Sequence, residues 1–502
     1  MTSIEAIAAR YVEQAAALDP VQATSIGIGG HDSELTDLSP AGFAARANLD
    51  RAAIQALGEV TPTAERDRVA KDAMLERLGR AVEDYDTGDA TSRLNVVSSW
   101  VQGTREVFDL MPTASEQAAR DIAARMAAVP AAYVGLRDTY TEAARGGRVA
   151  AARQVTEVAR QCAQWSAPGT GFYAGLARRI EATGALRADL DRGAAAASAA
   201  TAELGEFLER ELLPLAPQRD AVGREVYARA SRSFLGAVVD LDEAYRWGWD
   251  EVQRIEAEIV RVARQITPGG TVADAVAALN ADPARQIHGR ANLRSWMQDF
   301  ADQAIAELNG THFDIPEPAL RIECMIAPTT SGGIYYTNPS EDWSRPGRMW
   351  WALPDGAEDF CTWKEVSTIY HEGAPGHHLQ VAQVAYLQDE LNRWQRLMCW
   401  VSGHGEGWAL YAERLMEELG YLADPGNLMG MLDSQLLRAA RVVVDIGVHL
   451  ELAVPADSRW RPGETWDAEL AWEFLRSRVQ IDEEMLRFEL NRYLGWPGQA
   501  PS

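Results

Sequence analysis

Alanine-rich stretches with apolar residues every three to four positions run through most of this 502-residue chain. This spacing puts the apolar side chains on one helical face, so it predicts a mostly helical fold. Capping residues mark several helix starts, among them Thr113 or Ser115 ahead of Glu116. The predicted helices cover 2–18, 40–57, 63–86, 114–143, 147–164, 186–213, 236–266, 284–308, 388–400, 405–420, 428–452 and 465–493.

One region departs from this helical pattern. The segments 319–327, 333–337 and 347–352 are short, alternate in polarity or carry aromatics, and are bounded by Pro, Gly and Asn. They predict a small antiparallel sheet of about three strands. Such a sheet could offer an edge strand to an extended substrate; a purely structural hairpin patch is the alternative.

Composition sets limits on the class of protein. The chain is 47% hydrophobic, enough for one large domain over 1–502 or two lobes, a helical wall over about 1–310 and a metal-site half over 311–502. The net charge of −25 argues against nucleic-acid and anionic membrane partners. Four scattered cysteines, no leader-like N-terminus and no long uncharged apolar run predict a soluble cytoplasmic protein. The oligomeric state stays open, a homodimer included.

The residues with the clearest chemistry lie between 371 and 378, in the sequence His-Glu-Gly-Ala-Pro-Gly-His-His. Zinc peptidases of the H-E-x-x-H type place two imidazoles one helical turn apart, with the Glu as base. Here Pro375 occupies the position of the second His. If the helix continued, His378 would share the face of His371. If Pro375 and Gly376 form a bulge or loop, His377 takes the ligand position. We favour His377 and keep His378 as the alternative.

These residues predict a site for one Zn²⁺ ion, held by His371, His377 and Glu406, with a coordination position left for water. Glu372 is the predicted general base. Glu413 lies two helical turns after Glu406, where it could orient an imidazole. The other predicted supporting residues around the metal ligands are His378, Gln380 and His404.

A polar stripe follows on the predicted helix 428–452, formed by Arg438, Arg441, Asp445 and His449. It could be a substrate wall, with Arg438 or Arg441 binding a carboxylate and His449 donating to the oxyanion. A structural seam of ion pairs is the alternative. The further candidates for oxyanion or substrate contacts are three tyrosines, Tyr335, Tyr336 and Tyr493.

The chain resembles a bacterial family known as domain of unknown function 885. The shared motifs are HE-x-x-PGH-x-x-Q at 371–380, EGWALY-x-E at 406–413, DP-x-x-AT at 19–24 and RY-x-x-x-PGQA at 492–500. The resemblance covers nearly the whole chain. It implies a fold similar to the all-helical zinc carboxypeptidases and dipeptidyl carboxypeptidases, in which helices wall a deep channel. Similar proteins carry a different residue after the PGH, which favours His377 as ligand.

Two further expectations come from resemblance. The segment Glu406-Gly407-Trp408 is similar to the NEGF-x-x-Y-x-E signature of zinc aminopeptidases, which implies that Glu406 is a ligand and Glu413 supports it. Similar proteins continue with another helical segment, so the C-terminus at Ser502 is expected to be short relative to the family.

These observations lead to an expected function. The sequence favours a zinc metallopeptidase of carboxypeptidase or dipeptidase type, acting on small peptides or related amides. A metallopeptidase-like binding protein without catalysis is the alternative. A helical di-iron oxidase is disfavoured, because no histidine here has an acidic residue three positions before it.

Overall fold

The computed structural model describes residues 3–327, 333–341, 343–354 and 356–502. Within these residues the chain forms 21 α-helices and five strands. The first ten helices are α1 Ile4–Leu18, α2 Pro20–Ser25, α3 Pro40–Gly58, α4 Glu65–Thr87, α5 Asp89–Ser92, α6 Trp100–Leu110, α7 Glu116–Arg145, α8 Ala152–Trp165, α9 Phe172–Arg179 and α10 Gly184–Phe207.

The remaining helices are α11 Arg224–Leu235, α12 Leu241–Ile266, α13 Val272–Ala281, α14 Arg290–Leu308, α15 Glu365–Glu372, α16 His377–Tyr386, α17 Arg393–Leu397, α18 Ser402–Glu418, α19 Pro425–Leu450, α20 Ala468–Arg476 and α21 Glu483–Gly495. The strands are β1 Gln286–His288, β2 Ile322–Ile326, β3 Ile334–Thr337, β4 Gly347–Trp351 and β5 Asp359–Cys361. The prediction of a mostly helical chain is confirmed.

The chain divides into two compact units. The first comprises Met1–Asp220 together with Gln388–Cys399, and the second comprises Ala221–Leu387 together with Trp400–Ser502. The division therefore falls at Asp220, not near residue 310 as the two-lobe prediction had it. The excursion of Gln388–Cys399 into the first unit is anchored by Trp394, which is 2% exposed and packs with apolar side chains of α1 and α4.

The second unit contains every candidate site residue identified from the sequence. Its core is built on α12 and α19, the two longest helices of the unit, which pack against each other. Helix α19 begins at Pro425 behind the capping carboxylate of Asp424, which accepts a hydrogen bond from the Asn427 amide. Nearly all its positions from Ala439 to His449 are buried. A polar residue in that stretch must therefore find a partner inside the protein or face a cavity.

The small sheet lies just before α15, where the sequence predicted it. Strands β3 and β4 pair antiparallel, as do β1 and β5, whereas β2 joins β4 in parallel. The prediction of a small antiparallel sheet is confirmed for β3 and β4. Strand β2 adds a parallel pairing on the other side of β4, which the sequence did not predict.

Several helix boundaries differ from the prediction. The predicted helix 388–400 shrinks to α17, because Asn392 and Gln395 form a capping box that starts the helix late. The predicted helix 465–493 is two helices, because Asp482 caps a new start. The predicted helix 284–308 begins later, because 286–288 pair as a strand. No helix in the described part of the chain is long and apolar enough to cross a membrane.

Candidate functional site

Pro375 lies in a four-residue loop between α15 and α16. Its peptide bond with Ala374 is cis, and its carbonyl accepts a hydrogen bond of 2.9 Å from Trp408 Nε1. The Gly376 amide donates to the carbonyl of Tyr370 at 3.0 Å. The H-E-x-x-H pattern is therefore replaced by a hydrogen-bonded loop, and α16 restarts at the histidine that follows the loop.

Gly376 is in close contact with the preceding helix. A Cβ at this position would lie 2.0 Å from the carbonyl oxygen of His371 and 2.5 Å from that of Tyr370. Only glycine fits such an approach. The Pro-Gly pair thus holds the start of α16 tightly against the end of α15.

The loop brings His377 beside His371, with ring centroids 4.8 Å apart and the rings nearly perpendicular. Glu406, from the first turns of α18, approaches both: its Oε2 is 3.6 Å from His371 Nε2 and 3.8 Å from His377 Nε2. One potential ligand atom from each residue lies within 4.8 Å of the others. Two ligand atoms of a tetrahedral zinc ion at about 2.1 Å are about 3.4 Å apart, so the contacts of 3.6 and 3.8 Å with Glu406 are close to the separation of a shared ion.

Glu413 contacts the far side of the His371 ring. Its Oε1 lies 2.8 Å from His371 Nδ1, and the carboxylate is completely buried. With Nδ1–H donating to this carboxylate, Nε2 is directed towards Glu406. A carboxylate behind a histidine in this way fixes the ring and increases its basicity towards a metal. Arg438 Nη2 lies 3.5 Å from the same Glu413 oxygen and balances its buried charge.

The electrostatics around the two imidazoles favour a cation. Burial lowers the pKa of His371 and Arg438 opposes its protonation, but hydrogen bonds with Glu406 and Glu413 outweigh both and raise that pKa to about 9. Burial raises the pKa of Glu406, yet the two imidazoles outweigh it and hold the pKa well below its usual range. Both shifts show that positive charge is stabilised here.

Glu372 is the last residue of α15 and is buried beside the imidazoles, with 6% of its surface exposed. Its Oε2 has no hydrogen-bond partner among the described residues. Burial raises its pKa, and the charges of His371 and His377 oppose that rise. A buried carboxylate oxygen without a partner is uncommon in folded proteins, and it is suited to take up a proton from a group placed beside it.

His378, the alternative ligand from sequence, lies outside this cluster. Its Nε2 donates to the Ala319 carbonyl at 2.8 Å, and its Nδ1 accepts from the Tyr336 hydroxyl at 3.0 Å. Burial lowers its pKa to about 4. Both ring nitrogens are therefore used in holding α16 against the sheet region.

The two candidate tyrosines of β3 point to opposite faces of the sheet, because they are consecutive strand residues. The Tyr336 hydroxyl is bound to His378, whereas the Tyr335 ring stacks on Trp350 with centroids 6.1 Å apart. The structure therefore does not support the prediction that both act as oxyanion donors. A role for Tyr336 would first require its bond to His378 to break.

Gln380 and His404 contact each other, with Gln380 Nε2 3.2 Å from His404 Nδ1. His404 is exposed and precedes Glu406 by two residues, which turns it about 200° around the helix. The predicted support of the ligands by these two residues is therefore not seen as a direct contact.

His449 and Tyr493 are also placed differently from the prediction. His449 Nε2 donates to the carbonyl of Tyr493 at 3.0 Å, and the Tyr493 hydroxyl donates to Glu489 at 2.6 Å. His449 follows Arg438 by eleven residues on α19, a rise of about 16 Å. His449 is therefore too far along the helix to contact an oxyanion near Arg438, and the side chains of His449 and Tyr493 are both used in structural hydrogen bonds. The oxyanion and substrate roles predicted for them are not supported.

Asp445 and Arg441 do not form the ion pair that their spacing allowed. Asp445 instead accepts hydrogen bonds from the Tyr227 hydroxyl at 2.6 Å and the Gly498 amide at 2.9 Å. Arg441 makes no hydrogen bond or ion pair with any described residue, and its Nε is buried.

A pocket of about 360 Å³ adjoins the cluster. Glu406 lines it, so this residue both approaches the two imidazoles and faces the pocket. Arg438 and Arg441 also line it, as does Gln435, which sequence reasoning missed. Gln435 precedes Arg438 by three residues, and this helical spacing was the available signal. Trp408, which fixes the Pro375 carbonyl, was also missed as a positioning residue.

Comparison with known proteins identifies the class. Residues 20–502 match the family described as bacterial protein of unknown function, DUF885. The chain belongs to this family. No curated protein matches the sequence significantly.

Two solved structures share the fold. A "putative lipoprotein" from Colwellia psychrerythraea is 22% identical, with a TM-score of 0.84 over 99% of this chain and 90% of its own. A "putative lipoprotein of unknown function" from Shewanella oneidensis is 16% identical, with a TM-score of 0.70 over 100% of this chain and 91% of its own. At these identities the likeness establishes the fold alone.

The close approach at Gly376 leads to a testable prediction. Gly376→Ala should lower the free energy of unfolding by about 1–3 kcal/mol, because the added methyl overlaps two carbonyl oxygens. Gly407→Ala is the matched control, because a Cβ there meets nothing within 4 Å and alanine favours helix. Urea unfolding measures both. Equal stabilities for the two variants would show that the loop is not tightly packed.

Proposed function

We propose that this protein is a zinc-dependent hydrolase that cleaves peptide or related amide bonds. The observation that carries the proposal is the convergence of His371, His377 and Glu406 beside the buried carboxylate of Glu372. Two imidazoles and one carboxylate match the ligands of hydrolytic zinc sites, which keep one position open.

Each residue has a distinct role in this proposal. When bound, zinc would supply Lewis-acid activation of a water and of the scissile carbonyl. Glu413 keeps the His371 ring oriented through the bond to Nδ1. Glu372 accepts a proton from the attacking water at its unpaired Oε2 and returns it to the leaving nitrogen.

The wider kinship is also part of the proposal. Helical content and the motif residues support a relation to the all-helical zinc carboxypeptidases and dipeptidyl carboxypeptidases. The deep channel of those enzymes and a cytoplasmic location remain predictions for this chain. The lipoprotein descriptions of the two solved structures apply to those proteins.

Zinc binding distinguishes His377 from His378. His377→Ala should lower zinc affinity at least 100-fold, because it removes one of three donors. His378→Ala should change zinc affinity much less and instead lower stability by about 1–3 kcal/mol, because it leaves buried groups on Ala319 and Tyr336 unpaired. Competition with a chelator of known affinity measures zinc binding. A larger zinc loss in the His378 variant would reverse the ligand assignment.

Glu372→Gln tests the proposed base. Peptide turnover should fall by about 10²–10⁴-fold, since the amide cannot accept the proton. The stoichiometry of bound zinc and the thermal midpoint should stay as in the wild type. Glu225→Gln on α11 is the matched control, because that side chain is 92% exposed.

The results for the wild type and the variant test the role of Glu372 and distinguish a hydrolase from a non-catalytic binding protein. Turnover in the Glu372→Gln variant at the wild-type rate would exclude Glu372 as the base. Stoichiometric zinc without turnover of any peptide by the wild type would favour the non-catalytic binding protein.

A further inference from the structure

We propose that the pocket beside Glu406 is a subsite for the free C-terminal carboxylate of a short substrate, held by Arg441. This inference rests on the proposed function and specifies its substrate class. It makes the protein an exopeptidase that acts at C-termini or on dipeptides.

The four arginines that line the pocket differ in their partners. Arg254 is paired with Glu251 at 2.6 Å and Glu258 at 3.1 Å. Arg414 is paired with Glu417 at 2.8 Å and Glu258 at 3.2 Å. These two cations are already neutralised and are poor candidates for holding an anion.

The two arginines of α19 contrast with each other. Arg438 bonds to Ser434 and lies 3.5 Å from the buried carboxylate of Glu413. Arg441 makes no hydrogen bond or ion pair with any residue that the structure describes, and its Nε is inaccessible to solvent. A guanidinium presents a planar fork that matches a carboxylate, so Arg441 can bind one in bidentate fashion.

Burial makes an anion at Arg441 favourable. Burial lowers the pKa of this guanidinium, and the positive charges of Arg492 and Arg438 lower it further. Tyr493 and Glu489 oppose this shift without cancelling it. The lowered pKa represents a cost of keeping the cation charged, and a bound carboxylate would offset that cost.

Gln435 lines the same pocket six residues earlier on α19, a rise of about 9 Å. It is 5% exposed, and its buried Nε2 donor has no partner, so it is a second donor available to a polar group of the substrate.

Much of the remaining lining is apolar, and Glu251, Tyr411 and Ser502 add polar groups to it. Apolar surface comes from Leu235, Trp247, Ile255, Leu410 and Val442. A volume of about 360 Å³ is at the small end of ligand pockets. The occupant is therefore one or two residues of a peptide with an apolar C-terminal side chain, and not a long segment.

The spacing along α19 relates this subsite to the cluster. Arg438, which contacts the His371–Glu413 pair, precedes Arg441 by three residues, a rise of about 4.5 Å. An extended peptide residue covers about 3.5 Å. A carboxylate at Arg441 therefore places a scissile carbonyl near the cluster one or two residues from the C-terminus.

Binding tests the subsite without relying on turnover. The probes are N-acetyl-leucine and N-acetyl-leucinamide, added to the full zinc-loaded chain and followed by calorimetry. The wild type should bind the acid at least tenfold more tightly than the amide. Arg441→Gln should reduce this preference to twofold or less. Arg224→Gln is the control, since this surface arginine is 53% exposed, pairs with Asp242 and does not line the pocket.

Two outcomes would overturn the subsite. One is equal binding of acid and amide by the wild type. The other is an acid preference that survives Arg441→Gln, since the carboxylate would then be held by the metal or by another residue. Arg441→Lys keeps the charge and should retain part of the preference, and it supplies a folded comparison if the glutamine variant is unstable.

Turnover separates this inference from the proposed function. Acid-selective binding without hydrolysis of any peptide would exclude the hydrolase and leave the carboxylate subsite in place. Hydrolysis at equal rates of acetylated peptides with free and amidated C-termini would keep the hydrolase and exclude the subsite.

Discussion

The carbonyl oxygens of Tyr370 and His371 approach Gly376 so closely that no side chain fits there. This contact folds the chain back at the end of α15 and starts α16 at His377. The arrangement of the candidate site depends on it, because in an unbroken helix residues 371 and 377 would point in different directions. Trp408 holds the turn from α18, the helix that also carries Glu406 and Glu413. The segment 406–413 of α18 therefore supplies the proposed ligand Glu406, the carboxylate of Glu413 behind His371, and Trp408, which holds the loop in place.

The balance of charges around the two imidazoles indicates what the site can bind. Three carboxylates, Glu372, Glu406 and Glu413, converge on two imidazoles, and Arg438 is the cation closest to them among the described contacts. Buried carboxylates are unfavourable without compensating charge. A dication at His371, His377 and Glu406 would provide that charge at the centre of the group. In the same unit, Arg441 has the opposite deficit: no described carboxylate forms a hydrogen bond or ion pair with this buried cation, although the nearby charge of Glu489 favours it. We interpret the first deficit as a metal site and the second as a substrate contact.

The sequence predicted local features better than long-range ones. Helical periodicity placed α1, α3, α4, α7, α18 and α19 closely, and the motif spacing predicted that His371, His377, Glu406 and Glu413 come together. It could not predict that β2 pairs in parallel with β4, because the pairing depends on contacts distant in sequence. The roles proposed for His449 and Tyr493 rested on residue type and a helical stripe. Those signals show which face a residue occupies, but they do not show that Tyr493 bonds to Glu489 or that His449 bonds to the Tyr493 carbonyl. Whether zinc binds remains a prediction.

The most direct test of the account is crystallography of the zinc-loaded protein with anomalous data collected on both sides of the zinc absorption edge. We predict a single strong zinc peak about 2.0–2.2 Å from His371 Nε2, His377 Nε2 and a Glu406 carboxylate oxygen, with His378 still bonded to the Ala319 carbonyl. A peak bound to His378, or no peak between His371, His377 and Glu406 at saturating zinc, would contradict the proposed metal site.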